Sequence, residues 1–215
     1  MSKNSNPNNI IFFDFDGTIV DTMKQYFHLY NEFANKNNKP IIAINDYQKL
    51  RNNSFNEVRK KLGLNLLETF IIAKKIKKQL FKDPYLIKIV PGIIDIINEI
   101  HKRNFLIYIV SSNTKNNIQK ILIANKINHI EKIISTYRGF NKTYFIKKYL
   151  KKNKDYQRAF LVSDEYKDIR VANKLDIISI AVTWGANDFI QNQEVIPNFT
   201  ISEPGQILTA IKQLE

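Results

Sequence analysis

The chain has 215 residues, 44% of them hydrophobic and 25% charged, the proportions of a globular protein rather than a disordered, collagen-like or fibrous one. It has no cysteine, which excludes a disulfide scaffold, a cysteine-ligated zinc or iron–sulfur site and a cysteine nucleophile. The 33 Lys and Arg against 20 Asp and Glu leave a net charge of +13, which by itself points to a nucleic acid, an anionic membrane or an anionic substrate. The excess is mostly Lys, beside abundant Asn and Ile, a composition that AT-rich codons also give. Net charge bears on solubility and association, not on fold.

The first nine residues are polar and read as a short disordered tail, with no apolar run of the kind a secretory signal needs. No stretch reaches the roughly 18 consecutive apolar residues of a membrane span. The expected location is the cytoplasm. Ile10-Ile-Phe-Phe13 is then stopped by Asp14-Phe-Asp-Gly-Thr18. A short β-branched and aromatic run ending in Asp and Gly predicts a buried parallel strand entering a loop.

From about Asp21 to Pro84 the sequence offers helices and no convincing strand. Ser54-Phe-Asn-Glu57 fits a capping box, in which Ser caps the third amide and Glu reaches back. Asn65-Leu-Leu-Glu68 is a similar start, and Gly63 between the two suits the residue just past a helix end. The lysines of the run Lys74 to Lys78 are expected to be solvated, with Phe70, Ile71, Ala73, Ile76 and Leu80 near one buried face. Asp83-Pro84 and Pro91-Gly92 read as turns.

Beyond them, strands are predicted at Phe105–Val110, Lys132–Ser135, Ala159–Val162 and Ile177–Val182, and more weakly at Phe199–Ile201. Helical patterns at Gly92–Arg103, Asn116–Asn125, Thr143–Lys152 and Asp168–Lys174 separate them. Alternating strands and helices predict an α/β fold: a doubly wound, Rossmann-like parallel sheet with a small all-helical unit inserted after the first strand. The expected division is residues 1–20 and 85–215 for the core and 21–84 for the insert.

In such sheets ligands bind outside the carboxyl ends of the strands. Those ends deliver Asp14, Asp16, Gly17 and Thr18; Ser111, Ser112 and Asn113; and Ser163, Asp164, Glu165 and, one turn on, Asp168. Lys142 lies just before the helix that precedes the strand at 159–162. Crowded carboxylates repel and call for a cation among them, and all-oxygen ligands suit Mg²⁺. A hard cation, a hydroxyl and a Lys around a carboxylate form a cradle for a phosphoryl group. A central Asp can serve as nucleophile, and a second Asp two residues on can protonate the leaving oxygen and then activate water.

Asp14-Phe-Asp-Gly-Thr-Ile-Val-Asp21 resembles the first motif of the haloacid dehalogenase superfamily, DxDGTxxD. Val110-Ser-Ser-Asn113 resembles the second motif, Lys142 the third and Asp164-Glu-Tyr-Lys-Asp168 the fourth, of GDxxxD type. Ile180-Ala-Val-Thr-Trp-Gly185 resembles the phosphoglycolate-phosphatase-like branch, which carries a helical C1 cap between its first two motifs. The resemblance spans nearly the whole chain. It implies a Mg²⁺-dependent phosphatase acting on a small phosphorylated metabolite through an aspartyl-phosphate.

Asp14 would be the nucleophile and a metal ligand, and Asp16 the acid/base with its backbone carbonyl on the metal. Asp164 would be the second carboxylate ligand, and Asp168 would support the metal waters or Lys142. Lys142 would stabilise the phosphorylated intermediate. Ser111 would hold a phosphate oxygen, with Ser112 or Asn113 helping through the backbone, and Thr18 would orient the loop. Either Ser111 or Ser112 marks the strand end. One departure is Ser163, where the family usually has Gly.

Other residues carry plainer expectations. Lys147 and Lys148 suit a solvated helix face, and His28, His101 and His129 lack metal-ligand spacing. Trp184 suits packing at a strand end, and Glu165 the charge of a first helical turn. Arg51 and Arg59 are candidates to reach the substrate's far end, and Asp21 and Thr22 suit either a hinge or a helix cap. A phosphosugar mutase or pyrophosphatase of the same superfamily stays open as the reaction, and monomer or homodimer as the state. A nucleic-acid module is disfavoured because the lysines are scattered, without interleaved aromatics; a catalytically dead scaffold is disfavoured by the intact acid pair.

Overall fold

The computed structural model describes residues 9–43, 46, 55–136, 141–187, 189 and 195–214. Six strands form one sheet: β1 (Asn9–Phe13), β2 (Phe105–Ser111), β3 (Lys132–Ser135), β4 (Arg158–Ser163), β5 (Ile178–Val182) and β6 (Phe199–Ile201). They lie in the order β3-β2-β1-β4-β5-β6, and every pairing is parallel. This is the expected doubly wound, Rossmann-like arrangement. Its central strand is the first one made, and the chain winds outward from β1 in one direction and then the other.

Helices cover both faces, which is why the strands are apolar throughout rather than alternating. On one face Ile11, Phe13, Ile107, Ile109, Phe160 and Val162 pack beneath α4 (Ile93–Lys102), α5 (Lys115–Ala124) and α8 (Gln206–Lys212). On the other, Ile10, Phe12, Tyr108, Val110 and Leu161 meet α6 (Lys142–Lys152) and α7 (Tyr166–Leu175). In α4 the isoleucines at 93, 96, 97 and 100 fall on one helical stripe and all are buried. Gly92, at φ +84°, supplies the left-handed turn that starts this helix.

Between β1 and α4 the described residues form α1 (Met23–Lys36), α2 (Phe55–Lys61) and α3 (Leu66–Leu80), with no strand among them. They have a hydrophobic cluster of their own, made of Tyr30, Ala34, Leu62, Leu64, Ile72 and Ile76. The start of α3 is the expected reciprocal cap: Glu68 N–H donates to Asn65 Oδ1 at 2.8 Å and Asn65 N–H to a Glu68 carboxylate oxygen at 2.9 Å. Gly63, at φ +61°, closes α2 as expected, its N–H donating to Lys60 O while Leu64 N–H donates to Arg59 O. The capping box read at Ser54–Glu57, and Arg51, lie outside the described side chains.

The buried face of α3 differs from the expected one. Ile72, Ile76 and Leu80 are buried, whereas Phe70, Ile71 and Ala73 are exposed. Ile72, Ile76 and Leu80 recur every four residues and share one stripe; Phe70 and Ala73, three residues apart, lie together on one side of it and Ile71 on the other. The lysines at 74, 75 and 78 are exposed, as expected.

Candidate active site

The register brings the motif residues together. Phe13 is level with Ile109 of β2 and Val162 of β4, so the residues that follow each strand emerge at one edge. Asp14 N–H still donates to Val162 O at 2.9 Å, continuing the ladder by one residue. Asp14 is therefore fixed in the middle of the crevice, 4% exposed. The next residues leave the strand in a tight loop: Gly17 N–H donates to Val20 O and Val20 N–H to Phe15 O.

Lys142, first residue of α6, is buried with its Nζ 3.1 Å from Asp14 Oδ1 and hydrogen-bonded to Asp168 Oδ2. Lys147 and Lys148 on the same helix are exposed, which leaves Lys142 as the lysine of that segment in the crevice. Asp168 is fully buried and also accepts from Ser163 Oγ at 2.7 Å. The serine that departs from the family's glycine thus has a task, which its residue type alone does not reveal. Its Oγ also accepts from Glu165 N–H at 3.2 Å.

Asp164 is buried between two donors, Thr18 Oγ1 at 3.0 Å and Ala186 N–H at 2.7 Å. Two glycines allow this. A Cβ at Gly17 or at Gly185 would stand 2.1 Å from an Asp164 atom. Thr18 Oγ1 is thereby committed to Asp164, and Thr18 O accepts from Trp184 Nε1 at 3.2 Å. The tryptophan packs at the strand end, as expected.

Asn113 follows β2, fully buried, with its Nδ2 3.2 and 3.3 Å from the two carboxylate oxygens of Asp16. Ser111, 1% exposed, accepts Asn113 N–H on its Oγ at 3.1 Å and ends the strand, with Ser112 exposed beyond it. All nine expected site residues thus lie at the carboxyl ends of β1, β2 and β4 or on the loops that follow them, in the first turn of α7, or at the start of α6.

The electrostatics are those of a carboxylate cluster with one internal cation. Burial pushes the Asp14 carboxyl well up; Lys142 opposes the shift, and the charges of Asp168 and Glu165 add to it. Burial and the nearby Glu165 push Asp164 up to about 7, against the donors from Ala186 and Thr18. Burial works against the Lys142 ammonium, but Asp14 and Asp168 outweigh it and hold it charged. On α1 the Tyr26 phenol is pushed up by burial and, less, by the charge of Asp16.

Asp14, Glu165 and Asp168 each offer an oxygen, all within 4.8 Å of one another. Asp168 Oδ1 is buried with no hydrogen-bond partner among the described residues. Three hard oxygen donors, one of them otherwise unsatisfied, fit a divalent cation such as Mg²⁺. Glu165, read from sequence as first-turn charge, is at the start of α7, pairs with Lys167 at 2.7 Å and also belongs to this group. Its position next to Asp164 was the available signal.

The remaining candidates lie elsewhere or have other partners. Arg59 Nη1 donates to Leu64 O at 2.8 Å. His28 pairs with Glu32, and the exposed rings of His101 and His129 stack on each other. A separate cleft of about 600 Å³ opens beside β3, lined by Lys115, Lys132, Tyr149 and their neighbours, and includes none of the expected site residues.

The comparisons with known proteins agree with this geometry. Residues 11–182 match the family model of haloacid dehalogenase-like hydrolases. The chain is 26% identical over 206 residues to a phosphoglycolate phosphatase of Synechococcus elongatus, covering 95% of this chain and 97% of that one. It is 22% identical over 214 residues to the pyrophosphatase PpaX of Oceanobacillus iheyensis, covering 94% and 95%. Among solved structures, a protein from Clostridium acetobutylicum described as a predicted phosphatase shares the fold with a TM-score of 0.74 at 18% identity, covering 97% of this chain and 100% of that one. The match runs through the first strand, the acid cluster at its end and all the motif positions to β5, and the chain belongs to the haloacid dehalogenase-like hydrolase family.

Proposed function

We propose that the protein is a Mg²⁺-dependent phosphatase that hydrolyses a small phosphorylated metabolite through a phosphoryl group carried on Asp14. The observation that supports this most is the buried Asp14 carboxylate facing the Lys142 ammonium at 3.1 Å, in a nest of acids with an unsatisfied oxygen. Asp14, Asp164 and Asp168, with Glu165 and the backbone carbonyl of Asp16, are the groups to hold the cation. Once bound, the cation offsets the charge of the phosphate oxygens and of the acids around them.

Asp14 attacks phosphorus, the Asp14–phosphorus bond forms and the ester oxygen leaves. Asp16 gives that oxygen its proton and then takes one from the water that releases phosphate. Lys142 balances the charge on Asp14 and on the transferring oxygens. Ser111 and the backbone amides beyond β2 hold the phosphoryl group, while Thr18 keeps Asp164 and the β1 loop in place.

Residues 21–84 act as a cap over the crevice, with 1–20 and 85–215 as the core. The separate hydrophobic cluster of the helices supports that division. The 26% identity over nearly both full lengths favours a phosphoglycolate-like substrate, a small anionic phosphomonoester. The pyrophosphatase relative supports inorganic pyrophosphate as the second reading. A panel of phosphorylated metabolites and pyrophosphate, assayed with and without Mg²⁺, tests both. Phosphate release from one small ester, dependent on Mg²⁺, is the expected result. An isomerised sugar phosphate, or no Mg²⁺-dependent release from any member, would sink the proposal.

A further inference from the structure

We infer that the side chain of Asn113 is the positioning group for Asp16, so that the end of β2 aims the acid/base; this rests on the reading of Asp16 as acid/base given above. The amide cannot be turned round. Its Oδ1 accepts from the backbone N–H of Thr114 at 2.8 Å and from Asn117 Nδ2 at 3.1 Å, and a backbone N–H demands an acceptor. The NH₂ is therefore forced toward Asp16, at 3.2 and 3.3 Å from its two oxygens.

The backbone of Asn113 is held as firmly. Its N–H donates to Ser111 Oγ at 3.1 Å and its C=O accepts from Ser135 Oγ at 2.6 Å, tying the residue to β2 and β3. With no exposed surface, the residue has no freedom to serve solvent instead. Asp16 is by contrast only half-buried, on a loop, and needs an external constraint to keep one rotamer.

One NH₂ spanning both oxygens suits a group that must work in two protonation states. Whichever Asp16 oxygen carries the proton, the other keeps its bond to Asn113. The protonated oxygen then faces the leaving oxygen, and the same geometry serves when the carboxylate later takes a proton from water. The side chain of Asn113 is thus a positioning device for the acid/base.

The consequence is selective. An ester whose leaving oxygen is a poor leaving group needs the proton from Asp16, and an activated aryl ester does not. Asn113→Ala and Asn113→Asp are compared with the wild type by kcat/KM on a simple alkyl phosphate and on dinitrophenyl phosphate, all with Mg²⁺. Asn113→Asp keeps the shape of the side chain and removes the donor, which a purely structural role would tolerate better.

The expected loss on the alkyl ester is on the order of tenfold or more, part of the roughly 10²–10⁴-fold that general acid–base catalysis supplies. On the activated ester the loss is expected to be smaller by about that factor, so the experiment reads the change in the ratio of the two rates. The ratio of the two rates within one preparation is independent of how much of the variant is folded. Should either variant be inert, Asn117→Ala, which releases the amide from one of its two locks, is submitted to the same ratio. An equal loss on both esters, or no loss on either, overturns the inference. Asp14→Asn is the separate control. If it abolishes turnover of both esters while the Asn113 ratio is unchanged, the inference alone has failed; if it retains turnover, the reading of the site has failed.

Discussion

Lys142 shows how closely the site is balanced. It is the cation seated between Asp14 and Asp168, and both carboxylates are buried with it. Breaking such a group by removing one partner leaves charge uncompensated in the interior, at a cost of about 3 kcal/mol. Lys142→Ala is therefore expected to unfold at lower urea than the wild type in the absence of metal, with Mg²⁺ recovering part of the difference. An unchanged midpoint would mean that the acids are already neutral without it. The sequence made Lys142, Asp14, Asp16 and Asp164 legible because motif spacing and strand ends are one-dimensional signals. It could not show the hydroxyl of Ser163 on Asp168, or Gly185 making room for Asp164 from across the sheet. Those contacts depend on how the loops after β4 and β5 fold over the strand ends, which residue type and spacing do not encode.

The strands were readable because a parallel sheet covered on both faces leaves uninterrupted apolar runs, as in Ile10–Phe13 and Phe160–Val162. The face of α3 was less readable. Leu66, Leu67, Phe70 and Ile71 are apolar yet exposed, so composition alone pointed to the wrong stripe. What decides the stripe is the packing of Ile72 and Ile76 against Tyr30, Ala34 and Leu64, a tertiary choice. The start of α3 is a local choice and was readable: the Asn65–Glu68 pair satisfies two amides reciprocally. Replacing Asn65 with Ala is expected to lower stability by about 1 kcal/mol, as loss of a helix cap does. A thermal melt checks it, and an unchanged midpoint would show that α1, α2 and α3 unfold independently of the main transition.

Across the whole molecule the charge of +13 first suggests a polyanion, but the crevice is acidic at its centre, with Lys142 as its buried cation. Lys74, Lys75 and Lys78 on α3 and Lys147, Lys148, Lys151 and Lys152 on α6 are exposed, where they can raise the local concentration of a small anionic ester without touching the chemistry. The acid cluster also fixes how stability depends on pH. Burial raises Asp14, and raises Asp164 to about 7. A carboxyl whose native pKa lies above its unfolded value binds more protons when folded, so stability falls as pH rises between the ordinary carboxylate range and about 7. The metal-free protein is expected to melt at lower temperature above that window than below it. Mg²⁺ is expected to raise the melting temperature more on the alkaline side, because it binds the ionised acids of the native state. A Mg²⁺ effect that is absent, or larger on the acidic side, would contradict the metal-holding role of the cluster.

The most direct test is the initial rate of aryl phosphate hydrolysis in saturating Mg²⁺ by the wild type and by Asp14→Asn. Asparagine keeps the shape and the place of the side chain at the end of β1 but cannot form the acyl phosphate. A loss of roughly 10⁴-fold or more is expected, as when a nucleophile is removed from a covalent mechanism. A variant that turns over within about tenfold of the wild type would contradict it, because phosphoryl transfer would then not pass through Asp14.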